Sequence, residues 1–153
     1  DLGYLAGEQP ESRVEGDFTL AHGSPRDPLW EYLFSIPAAR INLGAFETRY
    51  CLVGHTHHQL TFRDDEGQVE ALLAEDGARL TLDDRRCILN PGSVGQPRDG
   101  DPRACAMTLD TEAADLERTR RDLDDAARDV LPEAAQDWVL APVGTEPKLT
   151  VRA

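Results

Sequence analysis

Residues 51–58, Cys-Leu-Val-Gly-His-Thr-His-His, gather three of the chain's four histidines behind a short apolar run. The run is typical of a buried strand that ends at Gly54, so that His55 and His57 follow where the strand opens into a loop. On an extended chain, residues i and i+2 lie on the same side, roughly 6.6 Å apart at about 3.3 Å per residue. This spacing is wide for two ligands of one ion but suits two ions about 3.5–4 Å apart. The stretch therefore predicts half of a two-metal site.

Two further segments share this design, in which an apolar strand ends abruptly in a loop of small residues. Residues 22–25 read His-Gly-Ser-Pro, and residues 90–98 read Asn-Pro-Gly-Ser-Val-Gly-Gln-Pro-Arg. In layered α/β folds, sites assemble at the ends of adjacent strands. Imidazole nitrogens suit Zn, Fe and Ni, and mixed histidine–carboxylate sets also hold Mn. The glycines allow close backbone approach to an anion, and Ser93 with main-chain N–H groups is suited to lining a phosphate.

In this order, the three segments resemble the motifs of the calcineurin-like metallophosphoesterases, and of the small prokaryotic phosphodiesterase branch in particular. The resemblance covers roughly residues 2–125 and depends on three ordered motifs, which a lone His-x-His would not provide. It implies an α/β (α+β) fold, a four-layer αββα sandwich of two β-sheets flanked by helices. It also implies a dinuclear site at the sheet edges that takes two divalent ions from among Mn, Zn, Fe and Ni.

The resemblance implies roles for individual residues. His22 and His55 resemble ligands of one metal ion, and His57 resembles a ligand of the other. The 90–98 segment resembles the loop that borders the site, and the arginine after the first motif is placed to reach a substrate phosphate. The candidates for substrate binding are Arg26, Asn90 and Arg98.

Several ligands that the family supplies are absent from this sequence. The family carries an Asp-x-His, a Gly-Asp whose carboxylate bridges the metals, and a Gly-Asn-His-Asp, all before its His-Gly-Ser-Pro strand. The Gly-Asp pairs at 16–17 and 100–101 fall in predicted turns outside that order. The sequence therefore predicts the C-terminal portion of one phosphoesterase domain over 1–131, with the N-terminal half and its catalytic residues missing. Residues 132–153 are expected to form a divergent or poorly ordered tail.

Composition narrows the class of partner. The formal net charge is −13, from 29 acidic and 16 basic residues. Such a field repels phosphate backbones and anionic lipid surfaces, which disfavours nucleic acid and membrane as partners. The family resemblance implies a small phosphate ester as the substrate. The chain has no 18-residue apolar window, no signal pattern and only three widely spaced cysteines, which predicts a cytoplasmic protein with reduced thiols. A homo-oligomer is compatible with the sequence.

Local patterns predict the tail of a helix within residues 1–10 and helices in three further places. One helix is expected to begin at 29–34, because Pro28 suits a first turn and Asp27 a cap, and a second is expected over 38–47. The aromatic residues within 29–34 are interpreted as packing on a helix face rather than as a substrate platform. Propensity alone favours a helix over 111–130, whereas the family resemblance implies a strand near 116–122 and then a helix near 124–131.

Strands are predicted from alternation and from turn residues. The turn at Asp76-Gly77 is typical of a β-hairpin and predicts pairing of the strands on either side of it. A further turn is expected at 64–67, within an antiparallel middle section. The predicted strands are 18–21, 50–53, 60–62, 69–74, 79–82, 86–89 and 104–109.

The predicted function is a metal-dependent phosphoesterase, which hydrolyses a phosphodiester or phosphomonoester with a metal-activated water. The absent half-site supports an alternative from another class, a non-catalytic scaffold that keeps the fold and binds protein partners, to which the retromer scaffold subunit is similar. A mononuclear histidine site for metal storage or sensing ranks below both.

Overall fold

The computed structural model describes residues 11–73, 76–110 and 114–121. These residues form nine strands, arranged in two sheets, and one helix. Predictions that fall on other residues, among them the helix near 124–131 and the tail at 132–153, lie outside the described residues. Within the described ranges, no helix combines the length and the hydrophobicity that crossing a membrane requires.

The elements are β1 (Ser12–Glu15), β2 (Phe18–Ala21), α1 (Ile36–Leu43), β3 (Tyr50–Leu52), β4 (Gln59–Asp65), β5 (Gln68–Leu72), β6 (Arg79–Thr81), β7 (Cys87–Pro91), β8 (Ala104–Asp110) and β9 (Asp115–Arg121). Six strands form the larger sheet in the order β1-β2-β3-β7-β4-β5, and three form the smaller sheet in the order β6-β9-β8. Strands β2, β3 and β7 are parallel, with Leu20, Leu52 and Leu89 in register.

The parallel strands bring the three motif loops to one edge of the larger sheet, because parallel strands end at the same edge. The ladder continues into the loops. Gly54 N–H donates to the carbonyl of His22 at 2.9 Å, and Val53 N–H donates to the carbonyl of Leu89 at 2.9 Å. The histidine segments are therefore neighbours through their backbone as well as through their side chains.

Alternating side chains of the central strands build a core on each face of the larger sheet. Cys51 and Val53 of the β3 segment face α1, whereas Tyr50 and Leu52 face the smaller sheet. The buried cluster on the α1 side consists of Leu33, Ala39, Leu43, Phe46, Cys51, Val53, Phe62 and Ile88. The buried cluster between the two sheets consists of Tyr50, Leu82, Cys87, Leu89 and Leu116.

The fold class predicted from the sequence is confirmed, since the structure is a mixed, sheet-rich α+β fold with two sheets. Strands occur at each predicted strand position, with ends that differ by a few residues. The strand that the family resemblance implied near 116–122 is β9, so the propensity-based prediction of a helix there is wrong over Asp115–Arg121. Pairing of β9 with both β6 and β8 outweighs the intrinsic preference of its Glu and Arg side chains.

The hairpin predicted at Asp76-Gly77 is wrong. Strand β5 pairs with β4 in the larger sheet, whereas β6 pairs with β9 in the smaller one. The turn itself exists, because Gly77 has a φ of 73° and donates its N–H to the carbonyl of Arg118 at 3.0 Å. An Asp-Gly pair thus reverses the chain here, but its backbone bond to β9 directs the next strand into the other sheet.

The helix predicted to begin at 29–34 is also wrong. The Asp27 carboxylate does accept N–H bonds from Leu29 (3.4 Å) and Trp30 (3.1 Å), as a cap would. The chain nevertheless continues without helical structure until Ser35, whose hydroxyl accepts from Ala38 N–H at 3.3 Å and caps α1. The only helix of the described ranges therefore starts at 36 rather than 38 and ends at 43.

Candidate functional site

His22 and His55 come together from the ends of adjacent parallel strands. His22 follows β2 directly, and His55 lies in the loop after β3. Their Nε2 and Nδ1 atoms are 3.0 Å apart, and their rings lie at 66° to each other. Nitrogens at this distance are within hydrogen-bonding range, and they are also close enough to be neighbouring ligands of one ion, since metal–nitrogen bonds are about 2.0–2.1 Å long.

The histidine loop is not extended as the sequence suggested. His55 has a φ of 59° and His57 a φ of 60°, both in the left-handed region. Such values are uncommon outside glycine and cost of order 1–3 kcal/mol each, so they persist only where surrounding contacts impose them. The expected side-by-side placement of residues i and i+2 is therefore wrong, and the two side chains turn towards different partners.

His57 is oriented by the loop that follows β7. Its Nδ1 lies 2.8 Å from the carbonyl oxygen of Gln96. A carbonyl only accepts, so Nδ1 carries a proton, and in the neutral ring the lone pair then belongs to Nε2. This is the tautomer that a metal-ligating histidine adopts when its other nitrogen is held by a backbone carbonyl.

His55 is held as a neutral imidazole. Burial lowers its pKa, and the neighbouring His22, His57 and Arg98 lower it further by repelling a positive charge. The backbone of Trp30 partly offsets this lowering of the pKa. The Nε2 atom of His55 is buried, and no group in the described ranges meets it with hydrogen-bond geometry. Burying an unpaired ring nitrogen costs free energy, which points to a partner that the described residues do not supply.

These imidazoles fit a divalent ion as part of its ligand set. His22 and His55 face each other at bonding distance, and imidazole nitrogen donors suit Zn, Fe and Ni. Over residues 11–73, 76–110 and 114–121, no group of three or more His, Cys, Asp or Glu side chains is placed to hold an ion alone. The described part of the chain therefore offers candidate histidine ligands but no complete group of three.

Asn90 lies beneath the histidine loop rather than on the surface. The side chain is buried, and its Nδ2 donates to the carbonyl of Gly54 at 2.7 Å and to Thr56 Oγ1 at 2.9 Å. Its Oδ1 accepts from Gly92 N–H at 2.9 Å. Asn90, predicted as a substrate contact, thus ties the β3 loop to the β7 loop and supports the strained backbone between them.

Asn90→Ala is expected to lower the free energy of unfolding by about 2–3 kcal/mol, because it removes a buried amide that donates to the Gly54 carbonyl and to Thr56 Oγ1 and that accepts from Gly92 N–H. Urea denaturation at neutral pH measures this loss. Val94→Ala, an exposed change on the same loop, is the matched control and should stay within about 0.5 kcal/mol. A loss for Asn90→Ala no larger than the control's would show that the amide does not support the loop.

The two predicted phosphate-binding arginines, Arg26 and Arg98, have different neighbours. Arg26 pairs with Glu31, and its backbone N–H donates to Asn42 Oδ1 at 3.1 Å. Arg98 is exposed and lies beside the site, since its backbone N–H donates to the carbonyl of His57 at 3.3 Å. The structure therefore brings Arg98 close to the histidines and directs Arg26 towards a carboxylate.

Glu31 is an important residue of this region that the sequence did not single out. Its carboxylate accepts from Ser24 Oγ at 2.5 Å and from Asn42 Nδ2 at 3.0 Å, besides pairing with Arg26. Burial opposes its ionisation, but these bonds outweigh burial and hold the pKa of Glu31 below its ordinary value. Three separate segments thus meet at one anionic group next to the His-Gly-Ser-Pro loop.

Gly23 allows this loop to close on itself. A Cβ atom at residue 23 would lie 2.8 Å from the carbonyl oxygen of Asp27 and 3.0 Å from Trp30 N. Those contacts exist because Gly23 N–H donates to the carbonyl of Pro28 at 2.6 Å. Glycine at this position is therefore required by the tight turn that follows His22.

The aromatic residues of 29–34 also lie at the site. The Tyr32 and His55 ring centroids are 4.1 Å apart, and those of Trp30 and His55 are 6.4 Å apart. Phe34 lies edge-on to His58, with 4.9 Å between ring centroids. Aromatic residues alternate with others over 30–34, and this period of two favours an extended segment over a helix.

The fold and the site together are similar to those of a metallophosphoesterase, which supports the calcineurin-like superfamily that the three motifs resemble. It is 40% identical to a metallophosphoesterase from Sphaerobacter thermophilus of known crystal structure, with a TM-score of 0.74 over 89% of this chain and 58% of that one. This agrees with the family resemblance of the three motifs.

Two further relatives are uncharacterised. One is a protein of Methanocaldococcus jannaschii, 30% identical over 134 residues, which are 84% of this chain and 52% of the relative. The other is a hypothetical protein of Pyrococcus horikoshii with a known structure; its 16% identity and TM-score of 0.54, over 90% of this chain and 52% of that one, show the fold alone. No protein-family model matches the chain. The chain spans about half the length of the relatives that it matches.

Proposed function

We propose that this chain forms the histidine-bearing part of a metal-dependent phosphoesterase, which hydrolyses a phosphodiester or a phosphomonoester. The observation that carries the proposal is the meeting of His22 and His55 at 3.0 Å, with His57 fixed separately by Gln96. In this proposal the first two histidines hold one divalent ion and His57 holds the other. Carboxylate ligands come from the portion of the relatives' length that this chain does not span.

Two bound divalent ions supply a Lewis acid for the phosphoryl oxygen and lower the pKa of a bound water towards neutrality. The residues of this chain position the histidine loop and a phosphate group of the substrate. Asn90 and Gln96 hold the histidine loop, and the exposed Arg98 next to His57 offers a guanidinium to a phosphate oxygen. The ion is one of Mn, Zn, Fe or Ni, among which donor type alone does not select.

The proposed substrate is a small phosphate ester. A net charge of −13 repels long polyanions such as nucleic acids, whereas a single phosphate group that reaches two metal ions meets a local positive charge. The charge balance of the chain therefore favours a substrate with one or a few phosphates.

A hydrolysis assay tests the proposal directly. The protein at its full natural length is freed of metal and assayed with bis(p-nitrophenyl) phosphate and p-nitrophenyl phosphate, with each of the four ions in turn. We expect hydrolysis that depends on added metal and falls at least about tenfold in His57→Ala, since even residues that only support metal ligands cost 10–100-fold. His58→Ala is the matched control, because the Nδ1 of His58 binds the carbonyl of Thr56 instead. No hydrolysis with any of the ions would refute the proposal.

One observation favours a second candidate, a non-catalytic scaffold that binds protein partners. In the described ranges, no carboxylate completes a group of three potential metal ligands. The two functions differ in their response to metal, because an ion that binds the folded state at 100 times its Kd stabilises it by about 2.7 kcal/mol. A phosphoesterase is therefore expected to unfold at a higher temperature with metal, and a scaffold at the same temperature with and without it.

A further inference from the structure

Three aromatic side chains form a strip beside the candidate metal ligands. Trp30, Tyr32 and Phe34 are 72%, 49% and 47% exposed, whereas the intervening Leu33 is 1% exposed. This alternation places the three rings on one side of the segment and Leu33 in the core with α1. We call Trp30, Tyr32 and Phe34 the aromatic strip.

The strip is continuous with the histidine site. Tyr32 lies against His55 at 4.1 Å between ring centroids, and it stacks on Phe34 at 5.8 Å with only 6° between the ring planes. Trp30 also lies near this histidine, edge-on, with 6.4 Å between the ring centroids. A ligand whose phosphate is held near His55 would therefore have aromatic faces within reach on the protein side.

Buried contacts of the residues between the three rings fix the backbone of the aromatic strip. Between the rings, Glu31 is bonded to Ser24 and Asn42, and Leu33 is packed into the core. The aromatic rings are therefore presented to the outside by a fixed backbone, which reduces the ordering that a ligand would have to impose. Clustered exposed apolar groups on a folded protein commonly mark a binding site.

We propose that the aromatic strip binds a planar aromatic group of the phosphate ester substrate, either a nucleobase or a simple aryl ring. The proposal rests on the proposed function for the placement of the phosphate at the histidines. Stacking on aromatic side chains accepts any ring with a π-face and strengthens binding by about 5- to 150-fold for each base. The substrate class is thus an aromatic phosphate ester of low molecular mass.

Phosphonates test this without being hydrolysed, because their carbon–phosphorus bond replaces the ester. Methylphosphonate, phenylphosphonate and the 5′-methylenephosphonate of adenosine are titrated by calorimetry into the metal-loaded protein at its full natural length. At least one aromatic ligand is expected to bind about tenfold or more tightly than methylphosphonate. Preference for the adenosine compound alone identifies a nucleobase, and preference for both identifies a general aryl site. Equal affinity for all three ligands would overturn the proposal. This is also the result expected if another part of the protein covers the aromatic strip.

Trp30→Leu provides the matching variant, since it removes the ring of the most exposed member and keeps an apolar side chain. It is expected to reduce the affinity of the preferred aromatic ligand by about tenfold and to leave methylphosphonate binding unchanged. Ile41→Ala, at an exposed apolar residue of α1, is the control and should change neither. Equal weakening of all three ligands by Trp30→Leu, or no weakening, would contradict the proposal.

The two proposals fail in different ways. Absence of hydrolysis with the aromatic preference intact counts against the phosphoesterase and supports a strip that binds aromatic groups. Metal-dependent hydrolysis of both aromatic and methyl phosphate esters with equal kcat/KM counts against the strip and supports the phosphoesterase.

Discussion

His55→Ala is expected to weaken binding of a divalent ion by at least about tenfold, since supporting residues alone cost 10–100-fold in affinity. His55 faces His22 at 3.0 Å and has a buried Nε2 atom that no described residue satisfies. Without metal, the variant should be about as stable as the wild type, because the lost imidazole was desolvated without a hydrogen bond on that nitrogen. Metal titration followed by calorimetry measures the affinity, and urea denaturation in a chelator measures the stability.

His58→Ala is the matched control for this prediction, because His58 is the neighbouring histidine that bonds to the carbonyl of Thr56. It should keep the wild-type affinity for metal. A His22→Ala/His55→Ala double variant should lose little more than the His55→Ala variant, since two ligands of one ion act as a unit and their effects are not additive. Equal metal affinity in the wild type and His55→Ala would show that this histidine has no part in a metal site.

Glu31→Ala is expected to lower the free energy of unfolding by about 3 kcal/mol. The substitution removes a carboxylate that accepts from Ser24 and Asn42, and it leaves the amide of the buried Asn42 with one bond fewer. It also leaves Arg26 without its ion-pair partner. Loss of a partner in a largely buried, charge-assisted network costs about 1.5–3 kcal/mol for a single bond and more for several. Urea denaturation of both proteins at pH 7 measures the loss.

The contribution of Glu31 should depend on pH in a defined direction. Its pKa is held below the ordinary value of 4.5, so the folded state favours the ionised carboxylate. This stabilisation is fully present above pH 4.5 and is lost as the pH falls through the lowered pKa of the folded state. Asp83 and Asp101 have pKa values lowered to about 2, in each case chiefly by hydrogen bonds from an arginine. Their contributions to the free energy of unfolding are therefore also lost in acid.

Comparison of the wild type with Glu31→Gln isolates the effect of one carboxylate, because Asp83 and Asp101 are common to both proteins. The difference in free energy of unfolding between the two should be constant from pH 7 to about pH 5 and should shrink below that. A difference that stays constant down to pH 3, or that grows in acid, would contradict a lowered pKa for Glu31.

The arrangement of the site loops could be predicted from the sequence because it depends on local patterns. Each of the three motifs follows a short apolar strand, and parallel strands place their carboxyl ends at one edge. The backbone of the histidine loop could not be predicted in this way. Its left-handed residues, His55 and His57, are supported by Asn90, which lies more than 30 residues away along the chain.

The backbone of the aromatic strip also could not be predicted from local sequence. Asp27 caps the turn as its residue type predicts, and a helix after it was the natural local interpretation. The segment instead follows the contacts of Glu31 with Ser24 and Asn42 and the burial of Leu33, all of which depend on the tertiary structure. A helix would have turned these residues through successive faces, whereas the observed segment separates the buried from the aromatic side chains.

Anomalous diffraction tests the central claim most directly, because it locates metal ions by element. Crystals of the protein at its full natural length, grown with Mn²⁺ and measured at the manganese absorption edge, are expected to show one ion in contact with His22 and His55 and a second in contact with His57. An anomalous map without a peak at any of these three histidines, or with manganese bound only elsewhere, would contradict the assignment of this chain's histidines to a dinuclear phosphoesterase centre.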